Sequence, residues 1–212
     1  MYELGPAFQH RTVHPGKNIL VAGPPLSGTR TVAFTSLTHG LTRGEGALII
    51  TTRYSADQIL EELGSQTDGQ LGTQLEGRLG IVDSVSRQQG GSLASDPHIK
   101  YAASPADLTG IGTAFSTLLD TLTDTSSGRI RLVVDSLSTL VPYVGVEPTC
   151  QFATVLSEQV TALDGVGLYI VEPTAHDPET RSTIEQLFEA RVGIESGRIV
   201  ESTLSGPDEE RL

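Results

Sequence analysis

Short apolar runs alternate along the chain with longer segments in which apolar residues recur every three or four positions. The runs predict strands buried on both faces, because such strands need a nearly continuous apolar sequence. The longer segments predict amphipathic helices, whose apolar residues share one face. The strands are predicted at residues 19–22, 47–51, 79–82, 131–135 and 167–171. This alternation favours an α/β fold with a mostly parallel sheet and helices on both faces.

Helices are predicted in the connections between these strands and after the last one, at residues 29–41, 56–63, 104–122, 150–163 and 178–188. Ser55 and Asp177 precede two of them and have the short polar side chains that cap helix N-termini. Ser104 followed by Pro105 predicts the start of a third helix, with proline at the first helical position.

The rest of the chain predicts a hairpin and two loops. Residues 190–194 and 198–201 are apolar runs that predict a C-terminal hairpin about the turn Glu195-Ser196-Gly197. Residues 64–77 and 86–103 are polar and contain glycine, so both are predicted to be loops, the second of them a flexible excursion.

The chain has 212 residues, of which 37% are hydrophobic, and no change of composition divides it. We therefore expect one domain, over residues 17–203. An N-terminal extension is expected at residues 1–16, and an acidic, flexible tail at residues 204–212.

The first strand leads into a glycine- and proline-rich loop, Gly23-Pro24-Pro25-Leu26-Ser27-Gly28, and a helix is predicted to start at Thr29. A buried parallel strand, such a loop and a helix N-terminus together point backbone N–H groups into one small space, which is the geometry that holds phosphate. Gly23 and Gly28 are five residues apart, as in the phosphate-binding loop G-x-x-x-x-G-K-[ST]. The sequence therefore predicts a phosphate-binding loop.

Two side chains of that motif are replaced. Thr29 stands in the place of the lysine that reaches the outer phosphates, and Arg30 in the place of the hydroxyl residue that helps hold Mg²⁺. If the loop has gained one residue, Arg30 and Thr31 could take these two roles, although a planar guanidinium does not reproduce the point charge of lysine at a tight turn. The loop could also bind nucleotide through its backbone amides alone, or serve as a turn that holds no ligand.

An aspartate, Asp135, ends the strand predicted at residues 131–135. In nucleotide-hydrolysing domains an aspartate in this place holds a magnesium-bound water. Many parallel strands end in aspartate, so the signal gains its value from the loop upstream. Ligands of parallel sheets bind beyond the carboxyl ends of the strands, so we expect Asp135 near the loop. Thr31 and Asp135 are the candidate Mg²⁺ ligands.

Four stretches resemble the RecA superfamily, and within it the KaiC-like branch of archaeal ATPase domains. They are GPPLSG at residues 23–28, SPADLTGIGTAFSTLL at 104–119, LVVDSLSTL at 132–140 and HDPETRSTIEQLFEARVGI at 176–194. The resemblance covers about residues 18–200. It implies a RecA-like P-loop NTPase fold, ATP or ADP with Mg²⁺ as ligand, and self-association into rings, filaments or dimers.

The same resemblance identifies further departures. Active relatives carry one or two glutamates just beyond the second strand, which activate water, and a polar residue that senses phosphate at the end of the fifth. These positions hold Thr51-Thr52-Arg53 and Glu172 in this chain. The carboxylate base is therefore missing, and Glu172 would repel phosphate unless it binds metal or points away. Loss of the lysine, the base and the neutral sensor predicts a degenerate site with weak or no hydrolysis.

The charge balance bears on habitat and on partners. The chain has 26 acidic and 14 basic residues, a net charge of −12, and its only lysines are Lys17 and Lys100. This composition resembles proteins of salt-loving archaea, in which surface carboxylates stay hydrated in concentrated salt. The chain also lacks the basic face of a nucleic-acid-binding protein.

Other composition signals exclude several classes of site. Cys150 is the single cysteine, which excludes an internal disulfide and a multi-cysteine zinc site. The five histidines are scattered, which disfavours a metal cluster. No apolar run reaches the length of a membrane span, and the first residues show no secretion signal, so a cytoplasmic protein is expected.

Three functions fit these patterns. The favoured one is a degenerate RecA/KaiC-like domain that regulates or scaffolds through contacts with a protein partner and with copies of itself. The second is a slow ATPase using Arg30 and Thr31. The third is an accessory recombinase paralogue acting at DNA, which the missing basic face disfavours. The expected cofactor is ATP or ADP with Mg²⁺, or none. The predicted binding residues are Gly23, Pro24, Pro25, Ser27, Gly28, Thr29, Arg30, Thr31 and Asp135.

Overall fold

A computed structural model describes residues 1–66, 77–90, 93 and 95–204. The strands are β1 (Tyr2–Glu3), β2 (Thr12–Val13), β3 (Asn18–Ala22), β4 (Gly46–Thr51), β5 (Leu79–Asp83), β6 (Ile99–Tyr101), β7 (Ile130–Asp135), β8 (Val166–Val171), β9 (Ala190–Glu195) and β10 (Arg198–Ser202). The helices are α1 (Thr29–Leu41), α2 (Ala56–Gln66), α3 (Leu108–Thr125), α4 (Leu137–Val144), α5 (Val146–Ala162) and α6 (Pro178–Glu185). Single 3-10 turns occupy Pro6–Phe8 and Pro173–Ala175.

Eight strands form one sheet in the order β10-β9-β3-β8-β7-β4-β5-β6. Every neighbouring pair is parallel except β9 and β10, which form the C-terminal hairpin. The predicted α/β fold with a mostly parallel sheet and a C-terminal hairpin is confirmed. Strand β8 lies between β3 and β7, so the loop after β3 and the residue that ends β7 are two strands apart at the same edge.

Each central strand is buried on both faces because its alternate residues enter two different cores. Ile19 and Val21 of β3 pack with α1 and α2, whereas Leu20 packs on the other face with α3, α4 and α5. This is why the strands have continuous apolar sequences and were visible in the sequence. Among the helices of the described residues, none is long and apolar enough to cross a membrane.

The first thirteen residues pack against the same core. Tyr2, Leu4 and Phe8 are buried beside α1. Beneath them Arg131 of β7, only 1% exposed, bonds Glu45 at 2.5 Å and also donates to the carbonyl oxygen of Glu3. A buried ion pair therefore joins β7, the start of β4 and the N-terminal segment.

Three local predictions were wrong. Helix α3 begins at Leu108 and not near Ser104, because the side chain of Asp107 caps it by accepting from the N–H of Gly110 at 2.9 Å. The predicted flexible excursion contains β6, which pairs with β5 and buries Ile99. Helix α4 was missed altogether. Residues 67–76 and 205–212, where parts of a loop and of the tail were predicted, lie outside the described residues.

Candidate functional site at the carboxyl edge of the sheet

Four strand ends meet at the carboxyl edge of the sheet. The loop after β3, Arg53 after β4, Asp135 at the end of β7 and Glu172 after β8 all lie there, since the four strands are parallel and neighbours in the order β3-β8-β7-β4. The fold thus brings the predicted loop and the predicted aspartate to one place, with charges from two further strands between and beside them.

The C-terminal hairpin packs directly on the loop. The backbone N–H of Gly197, in the hairpin turn, donates to the carbonyl oxygen of Ser27 at 2.6 Å. Gly28 has a φ of 89°, and a Cβ placed on it would lie 2.8 Å from Cα of Gly197. Glycine is therefore needed at residue 28 for both conformation and space.

Replacing Gly28 by alanine is expected to destabilise the protein by about 1–3 kcal/mol, because the new Cβ meets backbone and the residue keeps a left-handed conformation. Urea unfolding measures the change. Gly112 in α3 is the matched control: nothing lies within 4 Å of its Cβ position. There the same substitution should stabilise by about 0.5–1 kcal/mol. Equal effects at the two glycines would contradict the described packing of loop and hairpin.

The N-terminus of α1 opens toward this edge. The N–H of Val32 donates to the carbonyl oxygen of Gly28 at 3.0 Å, and the N–H groups before it have no partner inside the helix by its geometry. No side chain caps the helix. Pro24, Pro25 and Leu26 of the loop are exposed to solvent. The backbone arrangement that can receive an anion is present.

The two threonines of the motif face different surroundings. Thr29 is buried, and its γ-methyl group lies 2.7 Å from the Cβ position of Gly23, so the side chain fills the interior of the loop. Thr31 is exposed on α1. Neither residue supplies a positive charge to the loop.

Arg30 extends from α1 into a cluster of carboxylates. Its Nη2 lies 2.6 Å from a carboxylate oxygen of Glu62 in α2, and its Nη1 lies 3.7 Å from Oδ2 of Asp135. The guanidinium carbon is 3.7 Å from the ring centroid of Tyr54, a cation–π contact. Three partners from three elements therefore fix the guanidinium beside Asp135.

Asp135 is 2% exposed, and its Oδ2 has no hydrogen-bond partner among the residues that the structure describes. Burial raises the pKa of its carboxyl to about 6, while the charges of Arg30 and Arg53 act in the opposite direction. A buried carboxylate with an incompletely used oxygen is costly for folding, and such groups concentrate at functional sites.

Arg53 and Glu172 form an ion pair with each other. Arg53 occupies a position where active relatives have a carboxylate base, and Glu172 occupies the position of their polar phosphate sensor. In this chain the two charges neutralise each other. The cluster as a whole contains the carboxylates of Glu62, Asp135 and Glu172 and the guanidinium groups of Arg30 and Arg53. Three negative and two positive charges leave one negative charge when Asp135 is ionised.

Residues 16–194 match the model of a family of unknown function, DUF7504. The chain belongs to the DUF7504 family. A search of curated proteins finds no match for this DUF7504 chain.

Solved structures with the same fold include two from Pyrococcus horikoshii. An uncharacterised protein, PH0321, crystallised with an unknown peptide, has a TM-score of 0.62 at 14% identity over 86% of the DUF7504 chain and 78% of its own. The KaiC-like protein PH0186 of strain OT3 has a TM-score of 0.59 at 18% identity over 84% and 72%. The DUF7504 chain therefore shares the KaiC-like RecA fold.

The structure brings most of the sequence-predicted residues together and adds two that the sequence analysis missed. Arg30 and Asp135 approach each other, whereas Thr31 points to solvent on the outside of α1. Glu62 and Tyr54, and the pairing of Arg53 with Glu172, were not foreseen. The ion pair could have been predicted, because Arg53 and Glu172 both depart from the pattern of the KaiC-like proteins and have opposite charges.

Proposed function

We propose that this chain is a P-loop domain that has lost most or all ATP hydrolysis and acts as a regulatory or scaffolding module through protein contacts. One observation carries the proposal: the guanidinium of Arg30 lies against Asp135 and Glu62, in the corner where a P-loop enzyme keeps its metal ion. The residue that replaces the metal-binding hydroxyl, Arg30, therefore pairs with the carboxylates of Glu62 and Asp135.

The side chains do not fit Mg²⁺ bound with a nucleotide. A P-loop enzyme holds the ion between a hydroxyl at the second helical position and an aspartate at the end of a neighbouring core strand. Here that helical position is Arg30, whose positive charge faces Asp135. Mg²⁺ at the same carboxylate would meet a fixed cation, and a guanidinium cannot replace a metal that must bridge two phosphates.

The charge of the cluster is also unsuited to a phosphate chain. Phosphoryl transfer depends on positive groups that neutralise developing negative charge, and the cluster has none to spare. A free carboxylate base is missing as well, because Glu172 is engaged with Arg53 and Asp135 faces Arg30. The slow-ATPase hypothesis needs Arg30 to turn away from Glu62 and needs the outward-facing Thr31 to reach the loop.

The proposed activity is therefore contact with other proteins, including copies of this chain. The fold supports it, since the structural neighbour PH0321 was crystallised with a peptide, and RecA-like domains habitually self-associate. The net charge of −12 suits a haloarchaeal protein and disfavours the alternative of action at DNA. Concentrated KCl is accordingly the medium in which to test the chain.

Thermal unfolding with Mg-ATP in concentrated KCl tests the nucleotide part of the proposal. A ligand at a hundred times its dissociation constant would raise Tm by about 5–10 °C for a domain of this size. We expect no such rise for the wild type, because Arg30 blocks the metal position. In Arg30→Ser, which restores a hydroxyl beside Asp135, a magnesium-dependent rise is expected.

Sedimentation of the same samples provides the complementary readout. The wild type is expected to self-associate to the same mass with and without Mg-ATP. A rise in Tm of the wild type, or an oligomer that forms only with the nucleotide, would contradict the proposal and favour a nucleotide-driven protein.

A further inference from the structure

A serine and a histidine meet beside the charged cluster. Ser138 is the second residue of α4, and its Oγ lies 2.8 Å from Nε2 of His176, which follows the 3-10 turn after β8. The backbone N–H of Glu172 donates to the same serine oxygen at 2.8 Å. Burial lowers the pKa of the His176 imidazole, which favours the neutral ring that can accept a proton.

The contacts around the Ser138 oxygen favour one proton arrangement. The N–H of Glu172 uses one lone pair of the oxygen. With the imidazole proton on Nδ1, the serine hydroxyl donates to Nε2 of His176, and all three groups are satisfied. Ser138 also lies in the first turn of α4, where the helix dipole favours negative charge. A hydroxyl that donates to a neutral imidazole in this way is activated as a nucleophile, because the ring can take its proton.

Ser138 opens onto a cavity of about 400 Å³. This is large enough for a small organic substrate. Gln88 and Gln89 line it and supply amide donors of the kind that stabilise an oxyanion, and Tyr143 supplies an aromatic wall. Arg53 also lines the cavity, where it is paired with Glu172. The nucleophile therefore lines a space for a substrate, and the base lies 2.8 Å from the nucleophile's oxygen.

We propose that Ser138 is a nucleophile toward small activated acyl esters, with His176 as its general base. The Oγ atom of Ser138 bonds to the acyl carbon while its proton passes to Nε2 of His176, and the ester C–O bond breaks as the leaving alcohol takes that proton. Water then attacks the acyl-serine by the same route and releases a carboxylic acid. The reaction needs no metal or redox partner, and it is independent of the proposed loss of ATP hydrolysis.

A fluorophosphonate probe tests the nucleophile directly. The probe forms an Oγ–P bond to an activated serine and expels fluoride, while the serine proton passes to the base. We expect peptide mass spectrometry to find the adduct on Ser138 of the folded protein and not after unfolding in urea. His176→Gln keeps a hydrogen-bonding side chain without a base, and should slow labelling at least about a hundredfold. Thr117→Val, which removes an exposed hydroxyl from α3 outside the cavity, should react at the wild-type rate.

Each other outcome overturns the proposal. Absence of the adduct from the folded wild type, an adduct on a different residue, or equal labelling of the folded and urea-unfolded chains would mean that Ser138 only fastens β8 to α4. Equal rates in the wild type and in folded His176→Gln would remove His176 from the role of base.

Discussion

Replacing Glu45 by glutamine is expected to destabilise the protein by about 3–5 kcal/mol. The substitution leaves the guanidinium of Arg131, which is 1% exposed, without a compensating charge in the interior. Because Arg131 also donates to Ser36 and to the carbonyl oxygen of Glu3, its displacement would loosen the N-terminal segment from α1. Urea unfolding of the wild type and the variant at pH 7 measures the difference.

Glu189→Gln is the matched control for Glu45→Gln. Glu189 also pairs with a cation, Lys17, at 2.8 Å, but its side chain is 80% exposed. Exposed pairs contribute about 0–1 kcal/mol, so this variant should unfold almost as the wild type does. If Glu45→Gln cost no more than Glu189→Gln, the ion pair of Arg131 would not be the element that joins the N-terminal segment to the core.

Replacing Asp135 by asparagine is expected to stabilise the protein by about 3 kcal/mol at pH 8 and hardly at all at pH 4. The pKa of this carboxyl is about 6 in the folded protein, against 3.8 without burial. Between pH 3.8 and about pH 6 the folded chain binds more protons than the unfolded chain. The stability of the wild type therefore falls as the pH rises through this range and levels off above it. Asparagine carries no charge and removes this loss.

Urea unfolding at several pH values between 4 and 8 checks the expectation. The comparison at pH 4 is an internal control, because the side chain of residue 135 is neutral there in both folded proteins. The pKa of about 6 already includes the attraction of Arg30 and Arg53, so the full gain is expected. A variant less stable than the wild type at pH 8 would show that Arg30 compensates the buried charge of Asp135 completely.

Much of the fold could be predicted because its central strands are buried on both faces. Strands β3, β4 and β7 have nearly continuous apolar sequences, which are typical of strands in a parallel sheet. Strand β6 has three residues at the sheet edge, Ile99–Tyr101, and only pairing with β5 reveals it. Helix α4 was missed because it is a separate, short helix. Gly145, with a φ of 89°, ends it and separates it from α5.

The backbone of the candidate site followed from sequence, but its side-chain partners did not. The spacing of Gly23 and Gly28 between a strand and a helix is a local pattern, and it is enough to predict a phosphate-binding loop. The partners of Arg30 come from elsewhere: Glu62 lies on α2 and Tyr54 on the connection before it. Their positions depend on how two helices pack, which no local pattern specifies. For the same reason the proximity of Ser138 and His176, 38 residues apart, could not be predicted.

Phosphate release from Mg-ATP in concentrated KCl, measured for the wild type and for Arg30→Ala, tests most directly whether the metal corner is closed. We expect the wild type to release no phosphate above the rate without protein, because Arg30 faces Asp135 and no free carboxylate can activate water. Robust turnover by the wild type that is abolished in Arg30→Ala would contradict it and would make Arg30 a catalytic residue of a working ATPase.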